Sequence, residues 1–196
     1  MGKIAEKQNV KRTNILDAAY ELFTSKSFNS TSIDDVVRKA GIAKGTFYLY
    51  FKDKYDLMDR IIAHKSMIVL RSALDKLEEK KSNSEQEMSF TQQIIFILDC
   101  IVDYMQENKE LLTLVDKKLS KCVSAFNTLA DADLKDEISK LIQLNKGISK
   151  EETVKKIYLA LDLIGSVGCD AIIYETPFRL EEIKPMMFSA AEKILA

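Results

Sequence analysis

The chain has 196 residues, of which 46% are hydrophobic and 30% are charged, the balance of an ordinary soluble globular protein. With 6 Gly and 2 Pro there is little material for tight hairpins, which favours an all-helical fold. The 3 cysteines lie far apart and the 1 histidine is isolated, so we predict no zinc site, disulfide framework or catalytic constellation. No segment has the length and hydrophobicity of a signal peptide or membrane span, which predicts a cytoplasmic protein with no membrane partner.

The net charge of −1 hides an asymmetry along the chain. Residues 1–60 carry 11 basic and 8 acidic side chains, a net charge of +3, whereas the other residues carry 18 and 22, a net charge of −4. A basic excess has the sign expected of a surface that binds nucleic acid. Because the excess is small, it supports such a function only together with a recognisable motif.

The segment 32–51 predicts two short helices joined by a tight turn. Ser32 can cap the first helix, because Asp35 follows it at the spacing of a capping box. Gly41 can adopt the left-handed conformation that ends a helix. Apolar residues recur at helical spacing between these two signals and give the first helix a buried face. The segment therefore predicts a helix–turn–helix motif.

The beginning of the second motif helix suits contact with DNA. A helix in the major groove contacts bases with its first turn, where bulky side chains would hold the backbone away. Lys44, Gly45 and Thr46 are a cation, a residue without a side chain and a small hydroxyl. Tyr48 and Tyr50 carry phenol groups of the kind that contact phosphate oxygens. Since helix–turn–helix geometry also occurs in proteins that never bind DNA, the spacing alone leaves both interpretations open.

Flanking segments extend the motif into a three-helix unit. A first helix is predicted from about Val10 to Lys26, and residues 1–11 are expected to form a flexible arm, either a frayed terminus or a contact to a minor groove. Thr31 and Ser32 place hydroxyls and amides at a helix N-terminus, which suits a phosphate and equally suits simple capping. A long helix predicted from Lys54 to about Lys80 connects this unit to the rest of the chain.

Residues 15–62 resemble the DNA-binding domain of the TetR family of transcriptional regulators. The resemblance covers about a quarter of the chain. It rests on residues that fall in register across all three helices and the beginning of the long helix: Ala18, Ala19, Leu22, Phe23, Phe28, Thr31, Ser32, Ala40, Gly41, Gly45, Thr46, Tyr48, Phe51 and Lys54.

This resemblance implies an all-α protein of about nine helices. Residues 1–53 would form the helix–turn–helix DNA-binding domain, and residues 54–196 a helical domain for ligand binding and dimerisation. The implied function is a ligand-responsive repressor that binds a palindromic operator in double-stranded DNA as a homodimer. An unidentified small-molecule effector would release it, and no cofactor is implied. Bases would be contacted by Lys44, Gly45 and Thr46, and phosphates by Thr31, Ser32, Tyr48, Tyr50 and Lys54.

Three positions depart from the common pattern of the family. Ser27 stands where a glycine usually ends the first helix, so we expect strain at that position. Val37 replaces the usual alanine between the two motif helices. Ala43 stands where a serine often caps the second motif helix, a loss of about 1 kcal/mol of capping energy. Val37 and Ala43 therefore bear on operator affinity more than on the fold.

The middle of the chain carries the candidate effector pocket. The spacing Ser84-x-x-Glu87 predicts a capping box that opens a strongly apolar helix to about Gln106. Asp99 and Asp103 lie one turn apart on it, so they either face solvent or line a pocket. Aromatic residues at helical spacing either pack in the core or line the same pocket. The candidate pocket residues are Phe96, Asp99, Asp103, Tyr104, Phe126 and Tyr158.

Two apolar helices are predicted at the end of the chain, from Ser149 to about Tyr174 and from about Leu180 to Ala196. Glycine inside the first of them is unfavourable unless a neighbouring helix packs closely there. The TetR resemblance implies that both helices pair with their copies in a second subunit, and the alternative is that they complete a monomeric core. The candidate interface residues are Leu161, Gly165, Gly168, Ile172, Met187 and Ala191.

Two other classes of function remain beside the repressor. One is a TetR-like dimer that acts as an activator or coactivator through a protein partner, and a weakly capped second motif helix would suit its lower DNA affinity. The other is a helical enzyme, which the sequence does not support because it contains no catalytic triad, phosphate loop or metal-ligand spacing.

Overall fold

The computed structural model describes residues 2–84, 86–115 and 132–196. These ranges contain helices and no strand, which confirms the predicted all-α class. The helices within them are α1 (Gly2–Lys26), α2 (Ile33–Ala40), α3 (Lys44–Tyr50), α4 (Lys54–Ser82), α5 (Phe90–Glu107), α6 (Lys109–Val115), α7 (Ala132–Gln143), α8 (Lys150–Ile173) and α9 (Leu180–Leu195). No helix in the described ranges has the length and apolar character needed to cross a membrane.

The chain divides into two compact units, residues 1–64 and residues 65–196, and the division falls inside α4. The domain boundary expected from the sequence, between residues 53 and 54, falls at the beginning of the same helix. The N-terminal unit contains α1–α3 and the first part of α4. The C-terminal unit contains the remainder of α4 and α5–α9.

Aromatic residues from several elements form the core of the N-terminal unit. Phe23 of α1, Phe47 of α3 and Phe51 after it are all at most 2% exposed. The rings of Phe23 and Phe28 meet edge-on at 5.1 Å, and those of Phe47 and Phe51 lie 5.5 Å apart. Buried aromatic pairs of this kind stabilise the fold beyond the area that they bury. This core fixes α3, which at 7 residues is too short to be stable alone.

The prediction from the sequence is wrong at the beginning of α1 and confirmed at its end. The helix begins at Gly2, so the expectation of a flexible arm over residues 1–11 is wrong. Residues 3–11 contain neither glycine nor proline, and their Ala, Glu, Lys and Gln residues favour a helix. At the other end, Ser27 adopts a φ of 76°, the left-handed conformation that disfavours side chains, which confirms the expected strain.

The capping signals of the motif are confirmed. Ser32 precedes α2, its backbone N–H donates to Asp35 Oδ2 at 3.0 Å, and Asp35 N–H donates back to Ser32 Oγ at 3.1 Å. Gly41 ends the helix with a φ of 66°, where its N–H donates to the Arg38 carbonyl at 3.3 Å. Ala43, at the beginning of α3, makes no side-chain capping bond. The turn geometry therefore follows from the local sequence.

The apolar helix α5 begins later than the sequence predicted. Its cap is Ser89, which forms a capping box with Gln92 and directly precedes the apolar run. The box expected at Ser84 and Glu87 is therefore wrong, and Ser84 Oγ instead donates to the Gln86 carbonyl at 3.2 Å. Glutamine serves in a capping box as well as glutamate does, so two overlapping signals compete here and the one beside the apolar run prevails.

The helices α8 and α9 of the same chain pack together beside the glycines of α8. Gly165 and Gly168 are buried, and a Cβ placed on Gly168 would lie 4.0 Å from Met187 Cε of α9, an ordinary van der Waals contact. Met187 and Ala191 are themselves 3% and 0% exposed. The neighbour of Gly168 is thus the following helix of the same chain, and a methyl group would fit between them.

Candidate DNA-binding surface

The first turn of α3 lies on the surface of the N-terminal unit. Lys44 and Gly45 are exposed and Thr46 is half-buried, whereas Phe47 is fully buried. Beyond its two neighbours in sequence and the backbone of α3, no atom lies within 4 Å of a Cβ built on Gly45. The backbone of this turn is therefore open to another molecule at Gly45.

The ammonium group of Lys44 is bound to a neighbouring helix. Its Nζ lies 2.9 Å from Asp34 Oδ1 of α2, and both side chains are more than half exposed. The hydrogen bond to Asp34 and the negative charge of that carboxylate raise the pKa of Lys44 above its ordinary value. Sequence analysis did not identify Asp34 as a site residue, because a spacing of ten positions between two helices gives no periodic signal.

The later residues of α3 divide between surface and core. Tyr48 is 52% exposed and lies edge-on to Phe47 at 5.3 Å, whereas Tyr50 is half-buried. Leu49 is 81% exposed, which sequence analysis also missed. The signal that identifies it is the helical spacing, because Phe47 and Phe51 face the core and the residues between them turn outward.

The two candidate phosphate contacts before α2 differ in orientation. Ser32 is exposed, and its hydroxyl donates to Asp35 Oδ2 at 2.7 Å, a contact that holds the pKa of that carboxyl below its ordinary value. Thr31 is 1% exposed, and its hydroxyl donates to the Ser27 carbonyl at 2.9 Å and lies 3.3 Å from the Leu22 carbonyl. The Thr31 hydroxyl therefore faces the interior, and only Ser32 presents a side chain to solvent.

Lys54, at the beginning of α4, binds the turn that follows α1. Its ammonium donates to the Phe28 carbonyl at 2.8 Å and to the Thr31 carbonyl at 2.9 Å. The same Nζ lies 4.3 Å from the centre of the Phe28 ring, a cation–π distance. Two of its three N–H donors are thus used within the N-terminal unit.

The candidate pocket residues that the structure describes are all at least partly exposed. Asp99 and Asp103 accept from Lys184 Nζ of α9 at 2.7 and 3.3 Å. Burial lowers the pKa of Lys184, but the two carboxylates outweigh it and raise that pKa overall. Phe96 and Tyr104 are half-buried and Tyr158 is 38% exposed, while Phe126 lies outside the described residues. The solvent-facing alternative therefore fits the two aspartates, and the pocket stays a prediction.

Most of the candidate dimer residues are buried within the chain itself. Leu161 is half-buried, whereas Gly165, Gly168, Ile172, Met187 and Ala191 are buried between helices of the same unit. The five buried residues present little surface to a second copy, and the dimer interface stays a prediction. Exposed apolar side chains nevertheless occur on both helices, among them Val154, Tyr158, Leu159 and Met186.

Comparison with known proteins places the motif in a family. Residues 15–61 match the family model described as bacterial regulatory proteins, tetR family. These residues, about a quarter of the chain, are a TetR-family domain. The match spans α2, α3 and most of the N-terminal unit, and it agrees with the resemblance seen in the sequence. TetR regulators bind DNA and are not enzymes, and no group of His, Cys, Asp and Glu in the described ranges could hold a metal ion.

Individual relatives match only part of the chain. The chain is 34% identical over 93 residues to the uncharacterised HTH-type transcriptional regulator YvdT of Bacillus subtilis, covering 47% of this chain and 42% of that one. It is 29% identical over 76 residues to the fatty acid metabolism regulator protein of B. subtilis, covering 39% of each. The matched segments thus span less than half the length of these relatives.

The fold as a whole resembles solved TetR-like structures. The crystal structure of the regulator FadR from B. subtilis, in complex with stearoyl-CoA, aligns with a TM-score of 0.54. The alignment covers 94% of this chain and 99% of that one at 13% sequence identity. At this identity the likeness concerns the fold alone.

Replacing Lys54 by methionine should destabilise the N-terminal unit. The change keeps most of the apolar stem but removes the ammonium that binds two backbone carbonyls, so we expect a loss of about 2 kcal/mol in the free energy of unfolding. Urea denaturation followed by circular dichroism measures it. Lys52→Met, at an exposed position two residues earlier, is the matched control and should stay within about 0.5 kcal/mol of the wild type. Equal stability of the two variants would contradict the role of Lys54.

Proposed function

We propose that this TetR-family protein is a ligand-responsive transcriptional repressor that binds a palindromic operator as a homodimer. The observation that carries the proposal is the exposed first turn of α3, where Lys44 and Gly45 lie open to solvent while Phe47 anchors the helix in the core. The family match over residues 15–61 supports the same function. A helix presented in this way can enter the major groove with its N-terminal turn foremost.

Each candidate residue has a role in this proposal. Lys44, Gly45 and Thr46 contact base edges, and the absence of a side chain at Gly45 allows the backbone to approach. The exposed Ser32 and Tyr48 and the half-buried Tyr50 contact phosphates and set the register. The Thr31 hydroxyl faces inward, so Thr31 acts by holding the turn before α2. Lys54 holds the same turn, and its remaining N–H donor is available to a phosphate.

A bulky side chain at Gly45 should abolish DNA binding without unfolding the protein. Gly45→Leu places a leucine in open space, where glycine is the poorer helix former, so the thermal midpoint should not fall. The leucine should hold α3 away from the bases and weaken binding at least about tenfold, which corresponds to about 1.4 kcal/mol. The measurement is equilibrium binding to a duplex that the wild-type protein enriches from a random pool.

The matched control for Gly45→Leu is Ser25→Leu, which adds the same side chain at an exposed position of α1. It should bind DNA as the wild type does. Wild-type binding should also weaken steeply with salt, because phosphate contacts release counterions. Wild-type affinity in Gly45→Leu would refute the α3 surface, and a nearly salt-independent affinity would favour the activator or coactivator alternative.

The proposed dimer uses the exposed apolar faces of α8 and α9. Leu159 and Met186 are 55% and 71% exposed, and Tyr158, which precedes Leu159 in α8, is 38% exposed. Apolar side chains of this size are commonly covered in an interface between identical subunits. Two N-terminal units brought together in this way would contact successive turns of a palindromic site.

A charge in the proposed interface should separate the subunits. Leu159→Asp introduces a carboxylate that has to be desolvated on dimerisation, so we expect the dimer to dissociate at concentrations at least about tenfold higher than for the wild type. Light scattering across a dilution series measures the mass. Leu144→Asp makes the same change at a 42% exposed leucine outside α8 and α9 and should leave the dimer intact. A wild-type protein that is monomeric at every concentration would contradict the proposal.

The proposed effector binds in the C-terminal unit and weakens DNA binding. An effector can act only if it binds the DNA-incompetent conformation more tightly than the competent one. Because α4 runs through both compact units, it offers a covalent path for that change. An acyl-CoA thioester is the first chemical class to test, since stearoyl-CoA is bound in the FadR structure of similar fold.

Stearoyl-CoA should raise the thermal midpoint of the protein and release it from the enriched duplex. A ligand present at 100 times its dissociation constant stabilises by about 2.7 kcal/mol, which differential scanning fluorimetry detects. Free coenzyme A, which lacks the acyl chain, is the control and should do neither. A raised thermal midpoint without release of the DNA would contradict the effector mechanism. If neither the thermal midpoint nor DNA binding changed, acyl-CoA thioesters would be excluded as the effector class.

A further inference from the structure

The ion pair between Lys44 and Asp34 joins the two helices of the motif at the proposed DNA surface. Lys44 Nζ lies 2.9 Å from Asp34 Oδ1, and the two side chains are 53% and 60% exposed. Asp34 has no capping role, because the capping box of α2 is completed by Asp35. Asp34 lies in the first turn of α2, where a carboxylate is favourable, and beside a DNA-binding surface the same carboxylate also repels phosphates.

This pair contributes little to the stability of the fold, since exposed ion pairs lose most of their attraction to solvent and side-chain entropy. It does bias which partner Lys44 binds. To reach a phosphate, the ammonium has to leave Asp34 or draw a phosphate towards the carboxylate. Each change carries a small electrostatic cost that is the same on DNA of any sequence.

Contact with a guanine base edge does not require the ion pair to break. The ammonium has three N–H donors, and the bond to Asp34 uses one of them. The two that remain match the two acceptors, O6 and N7, that guanine presents in the major groove. Lys44 can therefore contact guanine while it stays bound to Asp34, and no phosphate has to approach the carboxylate.

We propose that Asp34 is a positioning residue for sequence specificity, which withholds Lys44 from phosphates and presents it to a guanine edge. The inference rests on the proposed DNA-binding function and deepens it. Removal of the carboxylate frees Lys44 for phosphates, so affinity for DNA of unrelated sequence rises and discrimination falls. Asp34 itself does not contact the DNA.

The N-terminal unit offers a matched control in a second exposed pair, in which Lys39 Nζ lies 2.6 Å from Glu21 Oε2. This pair joins α2 to α1 and includes no residue of α3. Asp34→Asn and Glu21→Gln each remove one negative charge from the same unit. A general electrostatic effect changes both variants alike, whereas the positioning role changes only Asp34→Asn.

The experiment measures equilibrium binding of the full-length wild type and both variants between 50 and 200 mM salt. The first duplex is one that the wild type enriches from a random pool, and the second has an unrelated sequence of the same length. Asp34→Asn should bind the unrelated duplex more tightly, and its specificity ratio should fall at least about fivefold. One added phosphate contact steepens the salt slope by about 0.9, a further loss of about 3.5-fold over this salt range. Glu21→Gln should change both affinities by one common factor.

Two further measurements separate positioning from a merely structural role. Replacing the guanines of the enriched duplex by 7-deazaguanine removes the N7 acceptor, which should weaken the wild type more than Asp34→Asn. Asp34→Glu keeps a carboxylate and should restore most of the specificity ratio. An equal ratio in Asp34→Asn and Glu21→Gln would overturn the inference, as would loss of both affinities with a lowered thermal midpoint. A wild type that enriches no duplex would refute the proposed function as well.

Discussion

The contact of Lys54 with the turn after α1 is the constraint on which the geometry of the N-terminal unit depends. One ammonium group binds the carbonyls of Phe28 and Thr31 and lies over the Phe28 ring, so it joins the beginning of α4 to the residue that precedes the cap of α2. The carbonyls belong to a short irregular turn, where no helix supplies partners for them. A lysine is long enough to reach both carbonyls, and its ammonium donates a hydrogen bond to each. The position of α2, and of α3 after it, therefore depends on a residue outside the motif.

The short length of α3 explains why its residues divide between the core and the surface. The helix has only two turns, and Phe47, with Phe51 just after it, faces the aromatic core. Helical geometry then turns Lys44, Tyr48 and Leu49 outward. Because so short a helix gains little from its own hydrogen bonds, its orientation is set by the two buried rings. The residues that contact the core and those proposed to contact DNA are thus adjacent in sequence.

Features that depend on neighbouring residues could be predicted from the sequence, whereas contacts between distant residues could not. The capping box at Ser32, the left-handed Gly41 and the strain at Ser27 were predictable, because each depends on residues within one turn. The box at Ser84 was wrong where two local signals competed, and only packing of the apolar run decides between them. Asp99 pairs with Lys184, which lies 85 positions away, and no periodic pattern predicts a contact at that separation. The pairing of Asp34 with Lys44, ten positions away on another helix, is missed for the same reason.

Because of local ion pairs, the basic excess of the N-terminal segment overstates its attraction for phosphates. Lys44 is bound to Asp34, Lys39 to Glu21, and Arg60 lies 3.5 Å from Asp56. When DNA binds such a surface, each paired cation exchanges a carboxylate for a phosphate. The total attraction to the phosphates is therefore smaller than the count of basic residues suggests. Such a surface gains less binding free energy on unrelated DNA, so its affinity depends more on the fit of α3 to particular bases. Of these carboxylates only Asp34 pairs with a residue of α3, so it is the one proposed to set what a cation must find in exchange.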